Sequence, residues 1–227
     1  MSINDIDRST RLRIWQQNVG KSWPATLHLI NAGLHDDYDV IALQEPYLDS
    51  LGNTRASHKW RVIYPTKSAG GRHPYRTVLL INNSISTSIC QPMPFPSHDV
   101  IAVHFAFPNN PFTLFSIYND GEHDITVDTL SKFHEEHKAA IYPSPNAHVV
   151  WVGDFNRHHL YWDREEDHHL FTPNALQASE HLLEVVTDWS MHMALPPRIP
   201  THEHYVSKRR SRLDNVFCTE HTAGLLQ

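Results

Sequence analysis

The chain has 227 residues, a formal net charge of −6 and 40% hydrophobic residues. This length and apolar content support one domain with a substantial core, while the net negative charge excludes a protein whose whole surface clamps nucleic acid. The first ten residues carry Asp5, Asp7 and Arg8 where a signal peptide needs an apolar stretch, and the apolar runs are too short to cross a membrane. We therefore expect an intracellular protein of the nucleus or cytoplasm, without a membrane partner.

Strand-like and helix-like stretches alternate along the chain, beginning with a strand at residues 12–17, a helix at 23–34 and a strand at 40–43. Further strands are predicted at residues 61–64, 77–81, 101–107, 113–118, 149–152 and 213–217. Further helices are predicted at residues 124–142 and 174–189. Proline-rich segments at residues 92–96 and 196–197 are predicted as loops, because proline lacks a donor for the strand ladder. The alternation predicts an α/β fold with two stacked sheets and helices on their outer faces.

The cysteines and histidines of the sequence bear on two properties, the kinds of site the chain can form and its charge at acidic pH. Cys90 and Cys218 lie far apart and form no CxxC or CxxH pair, so the sequence indicates free thiols rather than a disulfide framework or zinc finger. The nineteen histidines titrate near pH ~6.5 when unperturbed. A slightly acidic medium would therefore cancel most of the negative charge.

Polar side chains follow the ends of several predicted strands. The clearest case is an apolar strand that runs into the sequence GDFN at residues 153–156, where Asp154 can act on a water and Asn156 can bind a phosphoryl oxygen. An Asx turn that caps the sheet is the alternative interpretation of these residues. Glu45 follows another buried strand and suits a hard cation such as magnesium, although an isolated glutamate at a strand end is more often solvated than bound to a metal.

Six motifs in order give a specific resemblance: QN at residues 17–18, LQEPY at 43–47, IYN at 117–119, GDFN at 153–156, PTH at 200–202 and SRLD at 211–214. Together they resemble the endonuclease/exonuclease/phosphatase superfamily, and within it the apurinic-endonuclease-like endonuclease domain of non-LTR retrotransposons. The histidine doublet at 158–159, Trp162 and the AGGR segment at 69–72 are typical of that retrotransposon branch. The resemblance implies an α/β four-layer sandwich of two packed mixed β-sheets flanked by helices, over residues 11–227 after an N-terminal tail at residues 1–10.

The resemblance also implies magnesium-dependent hydrolysis of DNA phosphodiesters, with Mn²⁺ as an alternative ion. The implied residues are Asn18 and Glu45 as metal ligands, Asp154, Asn156, Tyr118 and Asp214 as catalytic residues, and Thr201, Arg72, Arg212 and His159 as substrate-binding residues. Asp154 would activate the attacking water, and Tyr118 would donate a hydrogen bond to the phosphate. A reverse transcriptase domain in a longer parent protein is the implied partner besides DNA.

One departure from the family pattern concerns the C-terminal end. Relatives carry a Ser-Asp-His or Thr-Asp-His segment on a strand beyond the Asp214 motif, and this sequence has no such triplet before Gln227. We therefore expect a C-terminally incomplete domain that lacks its last strand, leaves an unpaired edge beside residues 213–217 and has impaired activity.

Two alternatives to a DNA endonuclease remain open. One is a phosphatase or phospholipase of the same superfamily, against which the basic cluster at residues 208–212 favours a nucleic-acid backbone. The other is an inactive retroelement-derived fragment or binding domain.

Overall fold

A computed structural model describes residues 12–67, 74–108, 110–144, 146–204 and 206–224. The predicted tail at residues 1–10 and the segment at 69–72, with Arg72, lie outside the described residues. The strands are β1 Ile14–Asn18, β2 Val40–Gln44, β3 Trp60–Ile63, β4 Thr77–Asn82, β5 Cys90–Met93, β6 Val100–Phe105, β7 Phe112–Tyr118, β8 His148–Asp154, β9 Met191–Met193, β10 His202–Glu203, β11 Arg210–Ser211 and β12 Asp214–Thr219. The helices are α1 Trp23–Asn31, α2 Ile125–Ile141, α3 Pro173–Asp188 and α4 Glu220–Ala223, with a 3-10 helix at Glu165–Leu170.

The strands form two large mixed sheets and a small ribbon. One sheet has the order β1-β2-β4-β3, the other has the order β5-β6-β7-β8-β12-β9, and β10 pairs with β11 alone. Within them, β1–β2 and β7–β8 are parallel pairs, and the remaining pairs are antiparallel. This confirms the predicted architecture of two packed sheets flanked by helices.

The alternation of side chains along the strands assigns them to separate apolar layers. In β2, Val40 and Ala42 belong to the layer between the two sheets, whereas Ile41 and Leu43 pack on the opposite face with Leu29 of α1. The helices α2 and α3 cover the outer face of the larger sheet, and their apolar residues share one cluster with those of β7 and β8. The four layers are therefore α1, the smaller sheet, the larger sheet, and α2 with α3.

Local capping explains where two helices begin. Ser22 and Thr172 each accept a hydrogen bond at 3.2 Å from the backbone N–H three residues later, and a proline occupies the first turn of both α1 and α3. The helix α1 ends at Asn31, before the predicted boundary at residue 34. No helix within the described segments is long and apolar enough to span a membrane.

Two local expectations from the sequence are wrong. The segment predicted as a proline loop contributes Pro92 and Met93 to strand β5. Proline is tolerated there because β5 lies at an edge of the larger sheet, where the missing N–H does not interrupt the hydrogen bonding between central strands. The edge beside residues 213–217 was expected to be unpaired, and this is wrong for its C-terminal part: β9 pairs with residues 217–219 of β12, and the Ala194 N–H donates to the Val216 carbonyl at 2.8 Å. With only three residues, β9 gave no periodic signal in the sequence.

Candidate active site

The candidate site occupies the polar end of the layer between the two sheets. Strand register places Tyr118 of β7 opposite Asp154 of β8, and Asp154 opposite Asp214 of β12. In the facing sheet, Asn18 ends β1 beside Gln44, and Glu45 follows directly. The inner faces of these strands are apolar at one end and polar at this end, so the fold brings the predicted catalytic and metal-binding residues together.

Asn18 joins the two sheets at this point. Its Nδ2 donates to Asp154 Oδ2 at 2.8 Å and lies 3.4 Å from Glu45 Oε2, while its Oδ1 accepts from the Gly20 N–H at 2.8 Å. The amide nitrogen therefore holds two carboxylates in place. Direct ligation of a metal by Asn18 would require its oxygen to turn inward and give up the bond from Gly20.

Asp154 is the most enclosed carboxylate of the group, with 4% of its surface exposed. Its Oδ1 accepts from the Asn156 N–H at 3.0 Å, so each carboxylate oxygen has a fixed donor. Burial, followed by the negative charge of Asp214, raises the pKa of Asp154 to about 6. Glu45 acts in the same direction, although the hydrogen bond from Asn18 opposes the shift.

The turn after β8 fixes the position of Asn156. This residue has a φ of +48°, and its Nδ2 donates to the Asn119 carbonyl at 2.9 Å. Asn119, which follows β7, returns a bond from its own Nδ2 to the Phe155 carbonyl at 2.8 Å. These two hydrogen bonds join the ends of β7 and β8, and they keep Tyr118 beside its ladder partner Asp154.

Asp214 is held by Gln16 of the smaller sheet and by Thr201, the residue before β10. Its Oδ1 accepts from Gln16 Nε2 at 2.7 Å, and its N–H donates to Thr201 Oγ1 at 3.1 Å. Burial is the main reason that the pKa of Asp214 is raised. Thr201 therefore lies beside the site, where its hydroxyl anchors the backbone of Asp214, and its contact with substrate stays a prediction.

A buried polar network supports the carboxylates, and the sequence prediction did not include it. Gln16 also donates to Gln44 at 2.6 Å, Gln44 donates to the Ser116 hydroxyl at 3.1 Å, and the hydroxyls of Ser116 and Thr77 are 2.7 Å apart. All the hydrogen-bonding groups named lie on inner strand faces. The signal that could have revealed them is a polar residue inside an otherwise apolar strand.

Arg76 is a second group that the sequence prediction missed. It binds both carboxylate oxygens of Asp99 at 2.7 Å, forms an ion pair with Asp120, and lies over the ring of Tyr118 with its Cζ 4.7 Å from the centroid. Burial and then the charge of Glu45 raise the pKa of Tyr118 to about 12, although the positive charge of Arg76 opposes this shift. The Tyr118 hydroxyl consequently keeps its proton at physiological pH.

Two of the predicted substrate-binding residues, Arg212 and His159, lie outside this group. Arg212 is 2% exposed, and its guanidinium binds Asn215 and the Pro196 carbonyl, so a phosphate contact would require those internal bonds to break. His159 sits in the turn after Asn156, where its N–H donates to Asp163 at 3.1 Å. Arg72, as noted, is outside the described residues.

The donor set fits a hard divalent cation held by Glu45, with Asp154 next to it. Within the described segments, no three His, Cys, Asp or Glu side chains converge as a complete ligand set. A magnesium site, however, needs only one or two carboxylates, with water and substrate oxygens as the other ligands. Burial and then the negative charges of Asp214 and Glu45 raise the pKa of Asp154. A cation placed among these carboxylates would offset the part of the shift that comes from charge repulsion.

Comparisons with known proteins agree with this fold. A model of the Endonuclease/Exonuclease/phosphatase family matches residues 16–225. The endonuclease domain of TRAS1, a telomere-specific non-LTR retrotransposon, is similar in structure with a TM-score of 0.69 and 18% identity, covering 95% of this chain and 88% of that one. The AP endonuclease LMAP from Leishmania major has a TM-score of 0.70 and 13% identity, covering 99% of this chain and 84% of that one.

A phosphatase shares the fold as well. The mannosyl-6-phosphatase of Bacteroides thetaiotaomicron has a TM-score of 0.59 and 14% identity, covering 92% of this chain and 86% of that one. No curated protein matches the chain at a significant level. At these low identities, the similar structures establish the fold alone. The substrate has to be inferred from the chemistry of the site.

Proposed function

Because the chain belongs to the Endonuclease/Exonuclease/phosphatase family, whose members are hydrolytic enzymes, we propose that it hydrolyses DNA phosphodiesters as retrotransposon endonucleases do. The proposed cofactor is Mg²⁺, with Mn²⁺ as the alternative. The observation that carries the proposal is the hydrogen bond by which Asn18 of one sheet holds Asp154 of the other, beside Glu45. This bond joins the proposed metal-binding and water-activating residues in one site.

The geometry supports specific roles in an attack by water on phosphorus. With a pKa of about 6, Asp154 is ionised at pH 7.5 and can accept a proton from the attacking water as the new P–O bond forms and the bond to the leaving oxygen breaks. Tyr118 can donate its hydroxyl proton in a hydrogen bond to a phosphoryl oxygen. A divalent ion bound at Glu45 would polarise a phosphoryl oxygen and stabilise the leaving group.

The ribbon of β10 and β11 supports DNA as the substrate. Thr201 connects this ribbon to the site, because its N–H donates to the Ser211 carbonyl at 3.0 Å while its hydroxyl binds the backbone of Asp214. Next to the ribbon is an open groove of about 530 Å³ lined by Arg164, Glu166, Asp167, His169, Lys208, Arg209 and Arg210. Its four Lys and Arg side chains outnumber its two carboxylates. Arg164 pairs with Glu166 and Asp167, and Glu203 pairs with Lys208 and Arg210, so the groove offers a nucleic-acid backbone a modest local excess of positive charge.

Plasmid nicking tests the proposed function. We expect the purified chain to convert supercoiled plasmid to open circles in Mg²⁺ and to stop when EDTA is added. Asp154→Ala should slow nicking by about 10²- to 10⁴-fold, because it removes the base. The matched control is Asp128→Ala on α2, a carboxylate that is 56% exposed and pairs with His181, and it should leave the rate unchanged.

Three results would overturn the proposal. The first is equal nicking by Asp154→Ala and the unaltered chain, and the second is nicking that persists in EDTA. The third is release of inorganic phosphate from a small phosphomonoester without any nicking, which would support the phosphatase alternative.

A further inference from the structure

Two aromatic rings and a guanidinium form a group at the surface, in the segments that follow β1 and β2 of the smaller sheet. The rings of Trp23 and Tyr47 have their centroids 4.8 Å apart with 59° between the planes, and the Arg55 Cζ lies 5.6 Å from the Trp23 ring centroid. Trp23 is 37% exposed, Tyr47 is half-buried and Arg55 is exposed. We call Trp23, Tyr47 and Arg55 together the aromatic platform.

The aromatic platform is continuous with the candidate active site. Lys21, two residues before Trp23, donates its N–H to the Glu45 carbonyl at 2.7 Å, and its Nζ is 3.1 Å from Glu45 Oε1. Tyr47 follows Glu45 by two residues. A substrate whose phosphate reaches Glu45 would therefore pass beside the platform.

Arg55 adds a positive charge whose guanidinium N–H groups are available to a ligand. Within the described ranges, the Arg55 guanidinium makes no hydrogen bond or ion pair with a carboxylate. The nearby Asp49 uses Oδ1 to accept the N–H groups of Leu51 and Asn53, and it interacts with Arg55 only through its charge. The platform thus combines aromatic surface with a guanidinium that can bind phosphate.

We propose that the aromatic platform stacks an unpaired base of the nucleic-acid substrate and that Arg55 binds the phosphate beside that base. Bases inside a duplex have their faces covered by neighbouring bases, whereas an unpaired base offers a free face to an aromatic ring. The proposal rests on the proposed function and deepens it: the preferred DNA carries a single-stranded stretch next to the scissile phosphate.

Binding measured without catalysis tests the platform. Fluorescence anisotropy in EDTA would compare a labelled single-stranded oligonucleotide with a blunt duplex of the same sequence. Trp23→Leu and Tyr47→Leu should each weaken single-strand binding by about tenfold or more and duplex binding by less than threefold. Trp23→Phe should restore the single-strand affinity, because phenylalanine keeps a ring face and leucine does not.

The phosphate contact has its own variant and control. Arg55→Gln should reduce the slope of log affinity against log salt by about 0.7 on the single strand. Lys132→Gln removes the same charge from the exposed surface of α2 and should leave the slope unchanged. Equal slopes for both variants would overturn the role of Arg55.

Crosslinking keeps the proposal testable if the variants fail to fold. A single-stranded oligonucleotide with 5-iodouracil, irradiated on the unaltered chain, should crosslink to Trp23 or Tyr47 in mass-spectrometric peptide maps. Crosslinks found only elsewhere would overturn the platform. So would equal losses for the Phe and Leu variants, or a dimer in solution that Trp23→Leu converts to a monomer.

The two proposals fail separately. A chain that nicks DNA but binds single strands independently of Trp23 would refute the platform and leave the nuclease standing. A chain that stacks bases on Trp23 without cutting any DNA would refute the nuclease and leave the platform standing.

Discussion

At the scale of single residues, the carboxyl group of Asp154 is destabilised in its charged form. Burial and the charges of Asp214 and Glu45 raise its pKa from 3.8 to about 6. The folded chain therefore retains a proton that the unfolded chain releases between about pH 4 and pH 6. The contribution of Asp154 to the stability of the fold should consequently decline as pH rises through that window, which is a cost of keeping a base with a pKa near neutrality.

The variant Asp154→Asn tests this cost directly. It cannot ionise, so at pH 7.5 its melting temperature should exceed that of the unaltered chain by a few degrees, at roughly 2–4 °C per kcal/mol for a chain of this size. The difference should vanish below about pH 3, under both pKa values, where Asp154 is protonated in the folded and the unfolded state. Calorimetry at both pH values would measure it, and a variant that is less stable at pH 7.5 would contradict the electrostatic explanation.

At the scale of elements, the close approach of β7 and β8 sets the geometry of the site. Gly153, the penultimate residue of β8, has a φ of +153°, and a Cβ placed on it would lie 1.9 Å from the Ile117 carbonyl oxygen. The two residues are paired in the ladder, with Tyr118 and Asp154 as the next pair. Glycine is thus required here because any side chain would push apart the two strands that carry catalytic candidates.

Gly153→Ala should therefore be strongly destabilising. The added methyl group meets backbone rather than a flexible side chain, so we expect a loss of about 3 kcal/mol or more, or failure to fold. Gly121→Ala is the matched control, because its added Cβ would lie 3.8 Å from the Asn156 Cβ, an ordinary contact. Thermal melts of both variants decide the matter, and a Gly153→Ala protein that melts with the unaltered chain would show that β7 and β8 can separate without cost.

At the scale of the whole molecule, charge limits how the chain meets DNA. The net charge is −6 with nineteen histidines, and the cations of the groove at β10 and β11 are local. The structure divides the histidines by environment: burial lowers the pKa of His134 and His148, whereas the hydrogen bond to Asp128 raises the pKa of His181. Acidification should therefore add positive charge mainly through the histidines that stay in contact with solvent.

Affinity for DNA should follow this charge. We expect several-fold tighter binding of a labelled duplex at pH 6 than at pH 7.5, with affinity falling steeply as salt rises. Protonation of Asp154 acts in the same direction. Anisotropy titrations would measure both dependences, and replacing Lys208 and Arg209 by glutamine should flatten the salt dependence. Binding that ignores both pH and salt would refute the charge argument.

The sequence by itself determined much of the fold and supplied the candidates for the site. Short, mostly apolar runs bounded by turn residues predicted β2, β4, β7 and β8, since these strands are buried on both faces. The motifs at strand ends identified Glu45, Tyr118 and Asp154 as site candidates, because the chain places their chemistry directly after buried strands.

Only the tertiary structure decided which of these groups meet and what surrounds them. Gln16 binds Asp214 across 198 positions of sequence, Arg76 reaches the ring of Tyr118, and Arg212 turns inward from a segment that resembled a basic surface. The physical reason is that periodicity along one strand is a local property, whereas its partners, its register and the depth of its side chains depend on packing between distant segments.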